Sequence, residues 1–145
     1  MTVDGYRHIL LATDFSELSR AAVRRGLMEA RAHGARATVV HVIEHFPDVV
    51  PRYWVAPEDI DPTTYYRDEA LRQLAAFAGE LGCEGVAQEI IVTTGSAGHA
   101  LTDFARERQA DLIVAGIHGA WAIGTLGSTA IAVARESPCD VLLVR

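Results

Sequence analysis

Two hydrophobic periods alternate along this chain, and the alternation narrows the fold to one class. Five short apolar runs fall at 9–12, 37–44, 86–92, 112–115 and 141–145. Runs this short and this continuously apolar suit strands buried on both faces better than helices. Between them the apolar residues recur at helical spacing. One such stretch runs from about Leu18 to His33, with Ala22, Val23, Leu27 and Ala30 on one stripe. Others span 63–81 (Leu71, Leu74, Ala75, Ala78), the residues around Ala100, Leu101, Phe104 and Ala105, and 128–136. Gly34 and Gly82 stand where helices end in a left-handed residue, and Ser137-Pro138 stops the last one. Strands of this kind alternating with helices predict an α/β fold, a single doubly wound five-stranded parallel sheet with helices on both faces. One domain over 1–145 is expected, because 145 residues suffice for one core.

A sheet of this type takes ligands at the carboxyl ends of its strands, where the strand order reverses. The first and fourth strands are the natural neighbours of that crevice, and they run into Asp14 and Gly116. After the fourth strand comes a loop with glycines at 116, 119, 124 and 127, and Ser128-Thr129 opens the next helix. Strand, glycine loop and helix start can present backbone N–H groups to an anion. The same residues also suit a plain connection, with Ser128 as an ordinary N-cap. Asp14 has two readings as well: a carboxylate for a ribose hydroxyl or magnesium, or, with Glu17, a helix cap in place of Ser16. His118 lies inside the glycine loop and is the one histidine expected near a ligand.

Composition removes several chemistries. All thirteen basic residues are arginines. Without lysine there is no Walker A lysine and no Schiff base. No GxSxG elbow is present and neither cysteine has a base near it in sequence, so no catalytic residue is expected. No protein-only metal site is expected either. The net charge of −6, with no basic run, disfavours nucleic acid and anionic membrane as partners. Cys83 and Cys139 follow no CxxC pattern and are expected to be reduced thiols. The first residues lack the charged and apolar regions of a secretory signal, and no apolar run approaches membrane-spanning length. A soluble, cytoplasmic protein is the expectation. Residues 45–62 hold four of the five prolines and read as a long crossover loop. Arg20, Arg24, Arg25 and Arg31 read as the solvated face of the first helix.

Four segments in order, HILLATDFSELSRAAV, ATVVHVIE, GSAGHALTDFARERQADLIVAGIHG and GSTAIAVARESPCDVLLVR, carry a resemblance over nearly the whole chain. The sequence resembles the universal stress protein (UspA) family. The resemblance implies a Rossmann-like strand order of 3-2-1-4-5 and a homodimer formed through the last strand, Val141 to Val144. It also implies a small stress-response sensor or switch that binds ATP or another adenine nucleotide, with magnesium, and hydrolyses ATP slowly at most. The nucleotide-binding branch uses a G-x2-G-x9-G-[ST] pattern, which falls here on Gly116, Gly119, Gly127 and Ser128, with Thr129 following. First-strand contacts fall on Ala12, Thr13 and Asp14, and an adenine-side contact on Val42. Seven residues, 120–126, separate Gly119 from Gly127 where the pattern has nine, and Trp121 lies in that arc. The alternative is therefore a dimeric interaction module of the same family that holds no nucleotide.

Overall fold

The computed structural model describes residues 5–44, 62–118 and 126–145, with Pro62 and Thr63 described in backbone only. Elements follow in the order β1 (His8–Ala12), α1 (Glu17–His33), β2 (Arg36–Glu44), α2 (Pro62–Glu80), β3 (Ala87–Thr93), α3 (Ala97–Glu107), β4 (Leu112–Gly116), α4 (Ser128–Glu136) and β5 (Asp140–Val144). The five strands form one sheet in the order β3-β2-β1-β4-β5. Every pair is parallel, with Leu11 of β1 level with Val39 of β2 and with Val114 of β4. The fold class and strand order are those expected from the sequence.

Successive side chains of a strand point to opposite faces, and both faces of the central strand are fully covered. Ile9 and Leu11 join Val23, Leu27, Leu74 and Phe77 in the core beneath α1 and α2. Leu10 joins Val40, Ile113, Leu101 and Val133 in a second core beneath α3 and α4. This two-faced burial is why the strands read as unbroken apolar runs. One position on each face needs a glycine. A Cβ at Gly26 would lie 2.1 Å from Leu11 Cδ2, and one at Gly98 would lie 2.4 Å from the Cβ of Ala132. Gly98 is what lets α3 approach α4 closely.

Three helices end in the same way. Gly34 (φ 63°), Gly82 (φ 66°) and Gln109 (φ 53°) are left-handed, and a six-residue bond follows each, from Ala35, Cys83 and Ala110 to Ala30, Ala78 and Ala105. Gly34 and Gly82 act as the sequence predicts; Gln109 takes the same conformation without being glycine. At the other ends, Ser16 and not Asp14 is the N-cap of α1. Asp14 Oδ1 instead accepts from the Ser16 N–H at 3.0 Å and from the Ser16 hydroxyl, a side-chain turn that holds the cap residue. Pro62 belongs to α2 rather than to the loop before it, the helix position where a missing N–H costs nothing. The remainder of that loop, 45–61, lies outside the described residues.

Arg20 departs from the expected solvated face. It pairs with Glu17 at 3.3 Å and Glu80 at 2.5 Å and lies over the Phe77 ring, tying α1 to α2. Among the described residues no helix is long and apolar enough to cross a membrane.

Candidate functional site

The strand order reverses between β1 and β4, and their carboxyl ends open into a cavity of about 470 Å³. From β1 and the turn after it come Ala12, Thr13 and Asp14; from β2 comes Val42. The end of β4 gives Gly116, and the start of α4 gives Gly127, Ser128 and Thr129. Residues far apart in sequence thus converge on one cavity, in a volume suited to a small ligand. Gly119 and Trp121 lie outside the described residues.

Hydrogen bonds fix the β1 wall. Thr13 N–H donates to the Val40 carbonyl at 2.9 Å. The Thr13 hydroxyl, buried, accepts from the Phe15 N–H at 3.0 Å and meets the Ser19 hydroxyl at 2.8 Å. Ser19 in turn donates to the Ser16 carbonyl at 2.9 Å. A single donor direction satisfies this chain: Phe15 N–H to Thr13, Thr13 to Ser19, Ser19 to Ser16. Phe15 makes the turn at φ 66°, an uncommon angle for a bulky residue, and its ring packs on His41 and Phe77. The Nδ1–H of His41 donates to the Thr13 carbonyl at 2.8 Å. Burial lowers the His41 pKa, against the raising effects of that carbonyl and of Asp14. His118 is therefore not alone: both it and His41 reach the cavity.

The helix ends differ. Each α-helix leaves its first N–H groups without intrahelical acceptors. At α3, Ser96 Oγ accepts from the His99 N–H at 3.3 Å, and Glu44 Oε1 accepts from the Ala97 N–H at 3.0 Å. At α4 the N-cap is Gly127, not Ser128, and it makes no side-chain cap bond. The Gly127 N–H is committed to the Ile117 carbonyl at 2.9 Å, and its own carbonyl accepts from Ile131 at 3.0 Å. The N–H groups of Ser128, Thr129 and Ala130 therefore start the helix without a side-chain cap among the described residues, and all three residues line the cavity. Such an end attracts an anion. The lining also holds two carboxylates, Asp14 and Glu44, and no arginine among the described residues. No group of three or more His, Cys, Asp or Glu side chains could hold a metal among the described residues.

Residues 5–145 match the model of the universal stress protein family. The chain belongs to that family. A universal stress protein of Thermus aquaticus is 35% identical over 148 residues, covering 97% of this chain and 99% of the relative. Among solved structures, a universal stress protein in complex with cAMP superimposes with a TM-score of 0.72 at 26% identity, covering 98% of this chain and 99% of that one. The universal stress protein of Archaeoglobus fulgidus in complex with dAMP does so with a TM-score of 0.67 at 26% identity, covering 98% and 100%.

In this universal stress protein the sequence left Glu44, Ser19 and His41 out of the site. Nothing local marks them. Glu44 ends a strand and Ser19 lies in a helix, and only tertiary packing turns either toward the cavity. His41 had a trace: a polar residue inside an apolar β-branched run.

Proposed function

We propose that the cavity binds an adenine nucleotide reversibly and that the protein works as a small sensor or switch in the stress response. The N-terminus of α4, which has no side-chain cap among the described residues and faces the cavity beside Gly116, is the observation that carries this reading. Ser128, Thr129 and Ala130 N–H groups would receive phosphate, with the Ser128 and Thr129 hydroxyls beside them. Ala12, Thr13 and Val42 would line the nucleoside side, and Asp14 would meet a ribose hydroxyl. The complexes of two structural neighbours with cAMP and dAMP support the ligand class. ATP is included in the proposal; with it a magnesium ion would be held by phosphate oxygens and Asp14, a hard oxygen donor set.

The protein is read as a binding protein with slow ATP hydrolysis at most. The cavity offers Asp14, Glu44 and two histidines, but the His41 Nδ1–H is spent on the Thr13 carbonyl, and neither cysteine lines the cavity. A cytoplasmic homodimer completes the reading. It is supported by β5, an edge strand paired to β4 alone among the described strands, with Val141 to Val144 all half-buried. An uncovered apolar edge of this kind invites pairing with another copy.

Equilibrium titration with ATP and magnesium tests the site. Saturable binding below millimolar concentration is expected, and Val42→Trp, which fills the nucleoside side, should abolish it while light scattering still reports a dimer. No binding of any adenine nucleotide at millimolar concentration would leave the family's other reading, a dimeric interaction module. A wild-type monomer in light scattering would remove the dimer.

A further inference from the structure

The N-termini of α3 and α4 both reach this cavity, and the first of them is already capped. Glu44 closes β2, level with Thr93 of β3, and its carboxylate accepts the Ala97 N–H at 3.0 Å. Ser96 takes the His99 N–H of the same turn. Glu44 and Ala97 both line the cavity. What α3 shows the ligand is therefore a resident carboxylate rather than a row of open N–H dipoles. Asp14 adds a second carboxylate from the turn after β1. Among the described residues, the place that favours a ligand anion is the start of α4.

We propose that Glu44 is a specificity-determining residue that makes the site prefer adenine nucleotides with one phosphate group over ATP. The proposal rests on the adenine-nucleotide reading above and goes further by naming the charge class. One phosphate fits the one open helix end. Each further phosphate brings about one more negative charge toward Asp14 and Glu44. Asp14 and Glu44 are both exposed, so salt screens this repulsion and it is read at low ionic strength.

The test is calorimetric titration of AMP, cyclic AMP and ATP into wild type and Glu44→Gln, without magnesium and then with it. Glutamine keeps a carbonyl for the Ala97 N–H and removes the charge, so α3 stays capped, which thermal melting verifies. In wild type without magnesium, a one-phosphate ligand should bind at least about tenfold more tightly than ATP, a difference of about 1.4 kcal/mol. Glu44→Gln should tighten ATP about fivefold and the one-phosphate ligands less than twofold, by removal of one nearby like charge. Magnesium, by offsetting phosphate charge, should narrow the wild-type gap. ATP binding as tightly as AMP and cyclic AMP in magnesium-free wild type would overturn the proposal while leaving the adenine-nucleotide site standing. So would a preference that Glu44→Gln leaves unchanged. Failure of all three ligands to bind at millimolar concentration would overturn the site itself, and the preference with it.

Discussion

The starts of α3 and α4 lie side by side on one face of the sheet and at one cavity, yet they are finished in opposite ways. At α3 a serine hydroxyl and a glutamate carboxylate from a neighbouring strand take up the first N–H groups. At α4 the cap position is a glycine with nothing to offer. A side-chain cap is worth about 1 kcal/mol over alanine but only a few tenths over glycine, so an α4 start with no side-chain cap among the described residues gives up little stability. On the function proposed above, the start of α4 is the one that meets the ligand: a cap is the protein's own anion-like group, and leaving it out keeps the position for another.

Making the two ends alike should break the site. Ser128→Asp places a carboxylate in the first turn of α4, where the helix dipole favours it. Nucleotide affinity should fall about 100-fold, or about 2.7 kcal/mol, while the melting temperature holds or rises slightly. Calorimetry and thermal melting on one sample check both, and undiminished binding would place the phosphate elsewhere. Next in size is the contact that holds the two ends together. Gly98→Val forces a side chain against Ala132, where even a Cβ would lie 2.4 Å away. Overpacking of this kind costs about 2 kcal/mol, readable as a lower denaturation midpoint with an unchanged slope.

Uncapping α3 should have a smaller effect. Ser96→Ala should cost about 1 kcal/mol of stability and leave nucleotide affinity within about twofold, because it removes a cap and not a ligand contact. A large loss of affinity in that variant would mean that α3, too, serves the phosphate.

The smallest effect is at the far end of the sheet, where no ligand role is proposed. His8 is buried, with Nε2 2.8 Å from the Thr38 hydroxyl and Nδ1 3.4 Å from the Arg108 carbonyl. Burial holds its pKa below the ordinary 6.5, with Arg36 lowering and the Arg108 carbonyl and Asp111 raising it. Between that lowered value and 6.5 the unfolded chain binds more protons than the folded one, so stability rises with pH there. It is full above 6.5 and declines as pH falls through that window. His8→Gln should flatten this acid slope in denaturant titrations without changing nucleotide affinity. His41, lowered in the same direction, should keep part of the slope. A variant with the full wild-type slope would remove His8 from the account.

The sequence by itself determined the architecture. Strands buried on both faces are apolar at most positions, helices packed on one side must repeat their apolar residues about every 3.6 residues, and the two periods can be counted without coordinates. It also determined where Gly34 and Gly82 end their helices, since a left-handed residue strongly favours glycine. The same local logic places Asp14 and Gly116 at strand ends beside one crevice, because parallel strands put all their carboxyl ends on one side. Which group finishes which helix was decided only by the tertiary structure. Asp14 with Glu17, or Ser16 by itself, suited the start of α1, and Ser16 is the cap because Asp14, across the turn through left-handed Phe15, is committed to holding Ser16. Glu44 lies 53 residues from the N–H it accepts, beyond the reach of any local pattern. Gly98 is an ordinary helix glycine until Ala132 is packed against it. Hydrogen bonds and steric contacts between elements depend on distances that a chain acquires only when its sheet is assembled, and the difference between the capped end of α3 and the open end of α4 is of that kind.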